Sequence, residues 1–295
     1  MRTVFLGTSE FAAAVLRRLA DSAHRPSLVV TRPDRPRGRG RRLASPPVAD
    51  AARELGIALE QPESVNDEPA RARIAAERAE AVCVCAFGAL IKEPLLSEHL
   101  MLNVHPSLLP RWRGAAPVER AIMAGDEITG VSIMRVTAGL DSGPVCAQRE
   151  EPIRPADTYG SLTGRLQGAG GDLLVAVLGS RLECQDQDDA LATYAEKIGP
   201  GDRELDPGRP AAQLERVVRA LEPHIGAFVA LQDGTRLGVH AARAVTSGEL
   251  AAGTLRLDGP QPVLGCSVGA LELTVVQPPG RRAMSGEDYL RGLHR

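Results

Sequence analysis

The stretch that decides the fold is the first 31 residues, Met1-Arg-Thr-Val-Phe-Leu-Gly-Thr-Ser-Glu-Phe-Ala-Ala-Ala-Val-Leu-Arg-Arg-Leu-Ala-Asp-Ser-Ala-His-Arg-Pro-Ser-Leu-Val-Val-Thr31. Residues 3–6 and 28–31 read as short strands with no polar face, and Glu10–Ala20 between them carries its apolar residues at helical spacing. Strands apolar on both faces and joined by helices imply a mostly parallel, doubly wound α/β sheet. The rhythm continues outward. A helix is expected at 47–55, entered through its prolines, then one at 66–78, a strand at 81–87, a short helix opened by Pro94, a strand at 101–105 and a helix at 117–124. Two more β-like stretches, 131–136 and 145–153, precede a long helix from Asp157 to about Gly179, with Asp157 placed to cap it.

Gly199-Pro-Gly-Asp-Arg-Glu-Leu-Asp-Pro-Gly-Arg-Pro210 then breaks the pattern and reads as a linker. Beyond it come one helix, 211–221, and five short β-like segments at 227–231, 235–246, 253–257, 262–266 and 269–276, the signature of a small β-barrel. The expected organisation is an α/β catalytic domain at 1–198, a linker at 199–209 and a barrel domain at 210–295. A chain of 295 residues, 43% hydrophobic and 24% charged, is long enough for two such domains.

No apolar run approaches the ~18 residues of a membrane span. The N-terminus lacks the apolar core and cleavage site of a signal peptide, so a cytoplasmic location is expected. Five scattered cysteines, Cys83, Cys85, Cys146, Cys184 and Cys266, contain no CxxC pair. They are expected to be reduced packing residues, with neither a disulfide framework nor a zinc site. The net charge of −2 conceals a local imbalance: residues 32–42 hold six arginines and one acid, Asp34. Such a run is either a solvated surface or a flexible basic loop that tracks phosphate oxygens.

The chemistry-bearing stretch is 102–117, Leu-Asn-Val-His-Pro-Ser-Leu-Leu-Pro-Arg-Trp-Arg-Gly-Ala-Ala-Pro. Strand alternation puts Asn103 and His105 on one face, roughly 7 Å apart. Pro106 ends the strand there, and open α/β sheets form their ligand crevices at strand carboxyl ends. An Asn amide donates to a developing oxyanion and an imidazole exchanges a proton, which suits acyl transfer. Taken alone, an Asn-X-His triplet reads equally as a strand end closed by its own hydrogen bonds. A second loop, Gly139-Leu-Asp-Ser-Gly143, offers Asp141 to orient His105 and stabilise its imidazolium, or is a turn whose Asp bonds its own backbone. No GxSxG nucleophile elbow occurs, and the first strand-to-helix turn lacks GxGxxG and carries Glu10, which disfavours a phosphate there.

Taken together, NVHPSLLPRWRGAAP, GLDSG, FLGTSEFA, TRPDRPRGRGRRL and TYAEKI, in this order along nearly the whole chain, resemble the methionyl-tRNA formyltransferases. The resemblance implies a Rossmann-like domain followed by an OB-like barrel. It also implies transfer of a formyl group from 10-formyltetrahydrofolate to the α-amine of methionyl-initiator tRNA, without a metal, by a monomer. The family's catalytic Asn, His and Asp fall on Asn103, His105 and Asp141. Its folate contacts fall on Ser107, Leu108, Leu109 and Pro110 and on Ala86, Phe87, Gly88, Ala89 and Leu90, where Phe87 stands in place of a frequent tyrosine. Its tRNA-entering loop falls on the arginine run, with Arg37, Arg39, Arg41 and Arg42 as phosphate contacts.

The family's basic linker is weak here, since the matching Lys197 and Arg203 are interleaved with Glu196, Asp202, Glu204 and Asp206, which weakens its share in tRNA binding. Trp112 is read either as a packing anchor for its loop or as part of the site. Two alternatives stay open on the sequence: another folate-dependent formyltransferase or a 10-formyltetrahydrofolate hydrolase with the same trio, and a non-catalytic tRNA-binding protein.

Overall fold

The computed structural model describes residues 1–37, 42–231, 233–246 and 250–293. In chain order, β1 (Thr3–Gly7) leads through α1 (Glu10–Ala20) to β2 (Pro26–Val30), the hairpin β3 (Arg35–Arg37) and β4 (Arg42–Ala44), α2 (Pro47–Glu54) and β5 (Ala58–Glu60). Next come α3 (Glu68–Ala76), β6 (Ala81–Cys85), α4 (Leu95–Glu98), β7 (Met101–His105), β8 (Arg113–Gly114) and α5 (Pro117–Ala124). The chain continues with β9 (Ile128–Arg135), β10 (Val145–Pro152), the long α6 (Tyr159–Leu178) and β11 (Tyr194–Ala195). Then follow α7 (Ala211–Leu221), β12 (Ala227–Ala230), β13 (Arg236–Val245), β14 (Leu255–Arg256), β15 (Val263–Gly265), β16 (Ala270–Gln277), β17 (Met284–Ser285) and α8 (Gly286–Leu293). Among the described residues no helix is long and apolar enough to cross a membrane.

Two compact units result. The first takes in Met1–Gly114, Ile128–Pro152 and Thr163–Tyr194 and holds a seven-stranded sheet in the order β10-β9-β7-β6-β1-β2-β5. From β7 to β5 the strands are parallel, while β9 and β10 join antiparallel. The mostly parallel expectation therefore holds. Val4, Phe5 and Leu6 are all fully buried, because helices cover both faces of a sheet whose centre has no polar side. Each large side chain so buried contributes roughly 1.5–3 kcal/mol. Helix α1 starts at the Ser9 cap, whose Oγ accepts from the Ala12 amide at 3.2 Å, and its first-turn Glu10 suits the helix N-terminus.

The edge strand β5, Ala-Leu-Glu, carries no β-branched signal and is formed only by pairing with β2. Within the arginine run β3 pairs antiparallel with β4, with Arg35 opposite Ala44 and Arg37 opposite Arg42. Arg39 and Arg41 lie outside the described residues. Cys146 and Cys184, 38 residues apart, form a disulfide, which corrects the reading of all five cysteines as reduced. Cys83, Cys85 and Cys266 are the buried free thiols. Burial pushes Cys83 up to about 12 and Cys85 higher still, so both stay protonated packing residues.

The second unit takes in Ala115–Glu127, Ile153–Leu162 and Ala195–Arg295. Its antiparallel sheet runs β12-β13-β16-β15-β14, with β17 added on β16. The expected C-terminal β domain is thus an antiparallel sheet, and among the described residues no strand pairing closes it into a barrel. Leu214, Val217, Val218 and Leu221 of α7 pack on Leu237, Val239, Leu271 and Leu273. The stretch 199–209 is packed, not a free linker. Leu205 sits in that core, its amide donates to the Phe228 carbonyl at 2.9 Å, and Arg203 Nε donates to the Gly226 carbonyl at 3.0 Å. The start of α6 also differs from the expectation. Thr158 Oγ1 accepts from the Ser161 amide at 3.3 Å and so closes the first turn. Asp157 instead accepts from the Arg154 amide and the Ser161 hydroxyl, each at 2.7 Å.

Candidate active site

Everything at the site belongs to the first unit. Strand β7 lies between β6 and β9 and carries Asn103 and His105 two residues apart, on one face as alternation requires. The imidazole of His105 is 4% exposed, and its Nε2 lies 2.9 Å from the Trp112 carbonyl. A carbonyl only accepts, so Nε2 carries a proton, and in a neutral ring the lone pair is then on Nδ1. That Nδ1 is 3.6 Å from Asp141 Oδ2. The carboxylate is held in turn: Oδ2 accepts from the Gly114 amide at 2.9 Å, and Oδ1 lies 3.5 Å from Asn103 Nδ2. The three residues picked out from the sequence thus converge on one carboxylate, against the alternative of a turn Asp serving only its own loop.

The loop can reach this place because Gly143 passes over β9. A Cβ on that residue would stand 1.9 Å from the Arg135 carbonyl oxygen. Asp141 and Trp112 both take left-handed backbone, at φ 44° and 62°, where L-residues are disfavoured. Trp112 is half-buried, its amide donates to Thr193 Oγ1 at 2.9 Å, and the Arg111 guanidinium stacks 4.4 Å from its ring centre. Those contacts make it an anchor of its loop, which presents the carbonyl that sets the His105 tautomer.

The turn after β7 is pinned rather than open. Ser107 is fully buried, with its hydroxyl donating to the Arg111 carbonyl at 2.6 Å. Leu109 is buried too, while Leu108 and Pro110 are half-buried. Two residues that the sequence reading missed hold this turn. Ser132 Oγ on β9 donates to the Ser107 carbonyl at 2.6 Å and accepts from the Leu109 amide at 3.1 Å, and Gln148 Nε2 donates to the Leu109 carbonyl at 2.8 Å. The available signal was a lone serine inside the apolar run Val131-Ser-Ile-Met134.

Ala86, Gly88, Ala89 and Leu90 are exposed where β6 ends beside β7, and Phe87 is buried. Their backbone is fixed from three sides. Thr8 Oγ1 donates to the Phe87 carbonyl at 2.7 Å, Arg32 to Gly88 at 3.0 Å and Asn66 to Leu90 at 2.8 Å. This main chain, exposed at four of its five residues, is held by three side-chain hydrogen bonds after the strand that pairs with β7.

The family models place this fold among the formyl transferases. The Formyl transferase family matches residues 1–178 and the Formyl transferase, C-terminal domain, family residues 197–294. The methionyl-tRNA formyltransferase of Halorhodospira halophila is 44% identical over 99% of this chain and 96% of its own. The chain belongs to the methionyl-tRNA formyltransferase family. Among solved structures, a methionyl-tRNA formyltransferase from Clostridium thermocellum matches with a TM-score of 0.62 at 16% identity, over 84% of this chain and 95% of that one. HypX from Aquifex aeolicus in complex with tetrahydrofolic acid matches with a TM-score of 0.67 at 17% identity. That match covers 98% of this chain, which spans 47% of the HypX chain. Both structural likenesses concern the fold.

Proposed function

We propose that the protein transfers the formyl group of 10-formyltetrahydrofolate to the α-amine of methionine on initiator tRNA, working as a cytoplasmic monomer. The observation that carries the reading is the convergence of Asn103, His105 and Asp141 at the carboxyl end of β7. The uncharged methionyl amine attacks the formyl carbon. One N–H of the Asn103 amide faces Asp141 and the second donates to the formyl oxygen as it turns anionic. His105 Nδ1 takes the proton that the amine sheds while Asp141 balances the imidazolium that forms, and that proton passes to N10 of the folate as the bond between N10 and the formyl carbon breaks, so that tetrahydrofolate leaves and the formyl group stays on the methionyl nitrogen. The pterin lies against the backbone of 86–90 and the turn Ser107, Leu108, Leu109 and Pro110. Since Ser107 spends its hydroxyl on Arg111, that turn contributes through main chain and the Leu108 and Pro110 surfaces. The first unit does the chemistry, and residues 210–295 of the second share in holding the tRNA.

Formylation rates with charged initiator tRNA, free methionine and glycinamide ribonucleotide test the reading. Turnover only with the charged tRNA is expected, and equal or faster turnover of the ribonucleotide would overturn it.

Asp141→Asn keeps the size and the hydrogen bond from Gly114 but removes the charge that favours the imidazolium. Turnover falls because the imidazolium that forms on His105 loses its counter-charge. Unchanged turnover would leave Asp141 as a turn residue only.

Replacing Arg37, Arg39, Arg41 and Arg42 together with alanine removes up to four charges that pair with phosphates. The slope of log affinity for tRNA against log salt then flattens by roughly 0.7–0.9 for each phosphate no longer neutralised, while folate binding survives. Wild-type affinity with an unchanged slope would move the tRNA grip elsewhere.

A further inference from the structure

We infer that Gln187 is a positioning residue for this reaction: it holds the Asp141 loop in its working conformation and acts through Asp141, not on substrate. The inference rests on the role proposed above for Asp141.

Asp141 has left-handed backbone, a conformation that L-residues disfavour, and a contact from outside the loop holds it there. Gln187 Nε2 donates at once to the Asp141 carbonyl at 2.9 Å and to the Gly143 carbonyl at 2.7 Å. One amide therefore spans the segment that carries the carboxylate. Its orientation is dictated by chemistry, because Oε1 accepts from Arg113 Nε at 3.0 Å and a guanidinium can only donate. Arg113 is itself buried and held by Asp189 Oδ1 at 2.7 Å. The residue after Arg113 is Gly114, whose amide donates to the Asp141 carboxylate. A single network thus grips Asp141 twice, at the main chain through Gln187 and at the side chain through Gly114.

The segment bearing Gln187 is tied to the strand that leaves the loop. Val145 and Gln185 exchange two main-chain hydrogen bonds of 2.8 and 2.9 Å, and the Cys146–Cys184 disulfide joins the same two segments. Gln187 is consequently fixed relative to the loop that it braces. With the brace removed, Asp141 is free to leave the left-handed region, and its carboxylate no longer faces both His105 and Asn103. Small displacements of catalytic groups are costly to turnover.

The test compares Gln187→Ala and Gln187→Glu in formylation of charged initiator tRNA, each alone and in the Asp141→Asn background. The glutamate keeps an acceptor for Arg113 but cannot donate to the two carbonyls, so it is expected to fail as the alanine does. The expected result is a drop in kcat of about tenfold for either variant, with both KM values within about twofold of wild type. Either drop shrinks to less than about twofold once Asp141 is already asparagine. Wild-type kcat in either variant, an undiminished drop in the Asp141→Asn background, or loss of the folded state in both variants would overturn the inference. If Asp141→Asn itself keeps wild-type turnover, it is the role of Asp141 that fails, and the two failures are distinguishable.

Discussion

Replacing Asn103 with alanine lowers kcat by about 10²–10³, a deficit of roughly 3–4 kcal/mol that follows removal of one oxyanion donor from a preorganised site. The side chain stands on a central strand of the sheet, half-buried, with the Asp141 carboxylate 3.5 Å from its amide nitrogen. Deleting it leaves no apolar cavity in the core, so stability changes little. Because the donor acts on charge that develops only in the transition state, kcat and kcat/KM fall together while folate and tRNA affinities stay near wild type. Steady-state kinetics beside equilibrium binding of each substrate check this. Near-normal kcat would remove Asn103 from the mechanism, and a rise in KM alone would make it a binding residue.

The parts of the molecule legible in the sequence are those where local signals and tertiary demands agree. Val4, Phe5 and Leu6 leave no side of β1 polar, so the strand could only be a buried one, and the parallel sheet follows. Asn103 and His105 were legible because strand alternation and a following proline fix both their common face and their place at the strand end. Asp141 was legible from its glycine-flanked loop, but its partnership with His105 stood beside a turn reading until the antiparallel return of β9 beside β7 brought the two together.

Features built on long-range pairing escaped the sequence reading. The Cys146–Cys184 bridge joins residues with no spacing signal. Strand β5 has weak β-formers and exists through its neighbour, and Leu205 is one apolar residue in a stretch whose prolines, glycines and charges read as linker. Gln187 carries no motif at all, because its value lies in two carbonyls that it reaches across more than 40 residues of chain. Likewise, the division of the molecule does not follow chain order. Residues of α5 pack with the C-terminal unit, although α5 lies between β8 and β9.

The second large effect separates a proton-transfer histidine from a structural one. His105 is almost wholly buried and its Nε2–H serves the Trp112 carbonyl, so alanine would remove both a hydrogen bond and the base. Glutamine is the informative replacement. Its amide can return an N–H to the Trp112 carbonyl and fills much of the imidazole volume, but it has no basic nitrogen to set against the attacking amine. His105→Gln is therefore expected to keep most of the stability that His105→Ala loses, the difference being on the order of the 1–3 kcal/mol cost of an unsatisfied buried carbonyl. Both variants nevertheless lose turnover by about 10²–10⁴, the usual share of a general base. Thermal melts and turnover numbers of the two variants decide the matter. If glutamine restores turnover along with stability, the ring holds its loop and does nothing more, and the proton must leave the methionyl amine by another route.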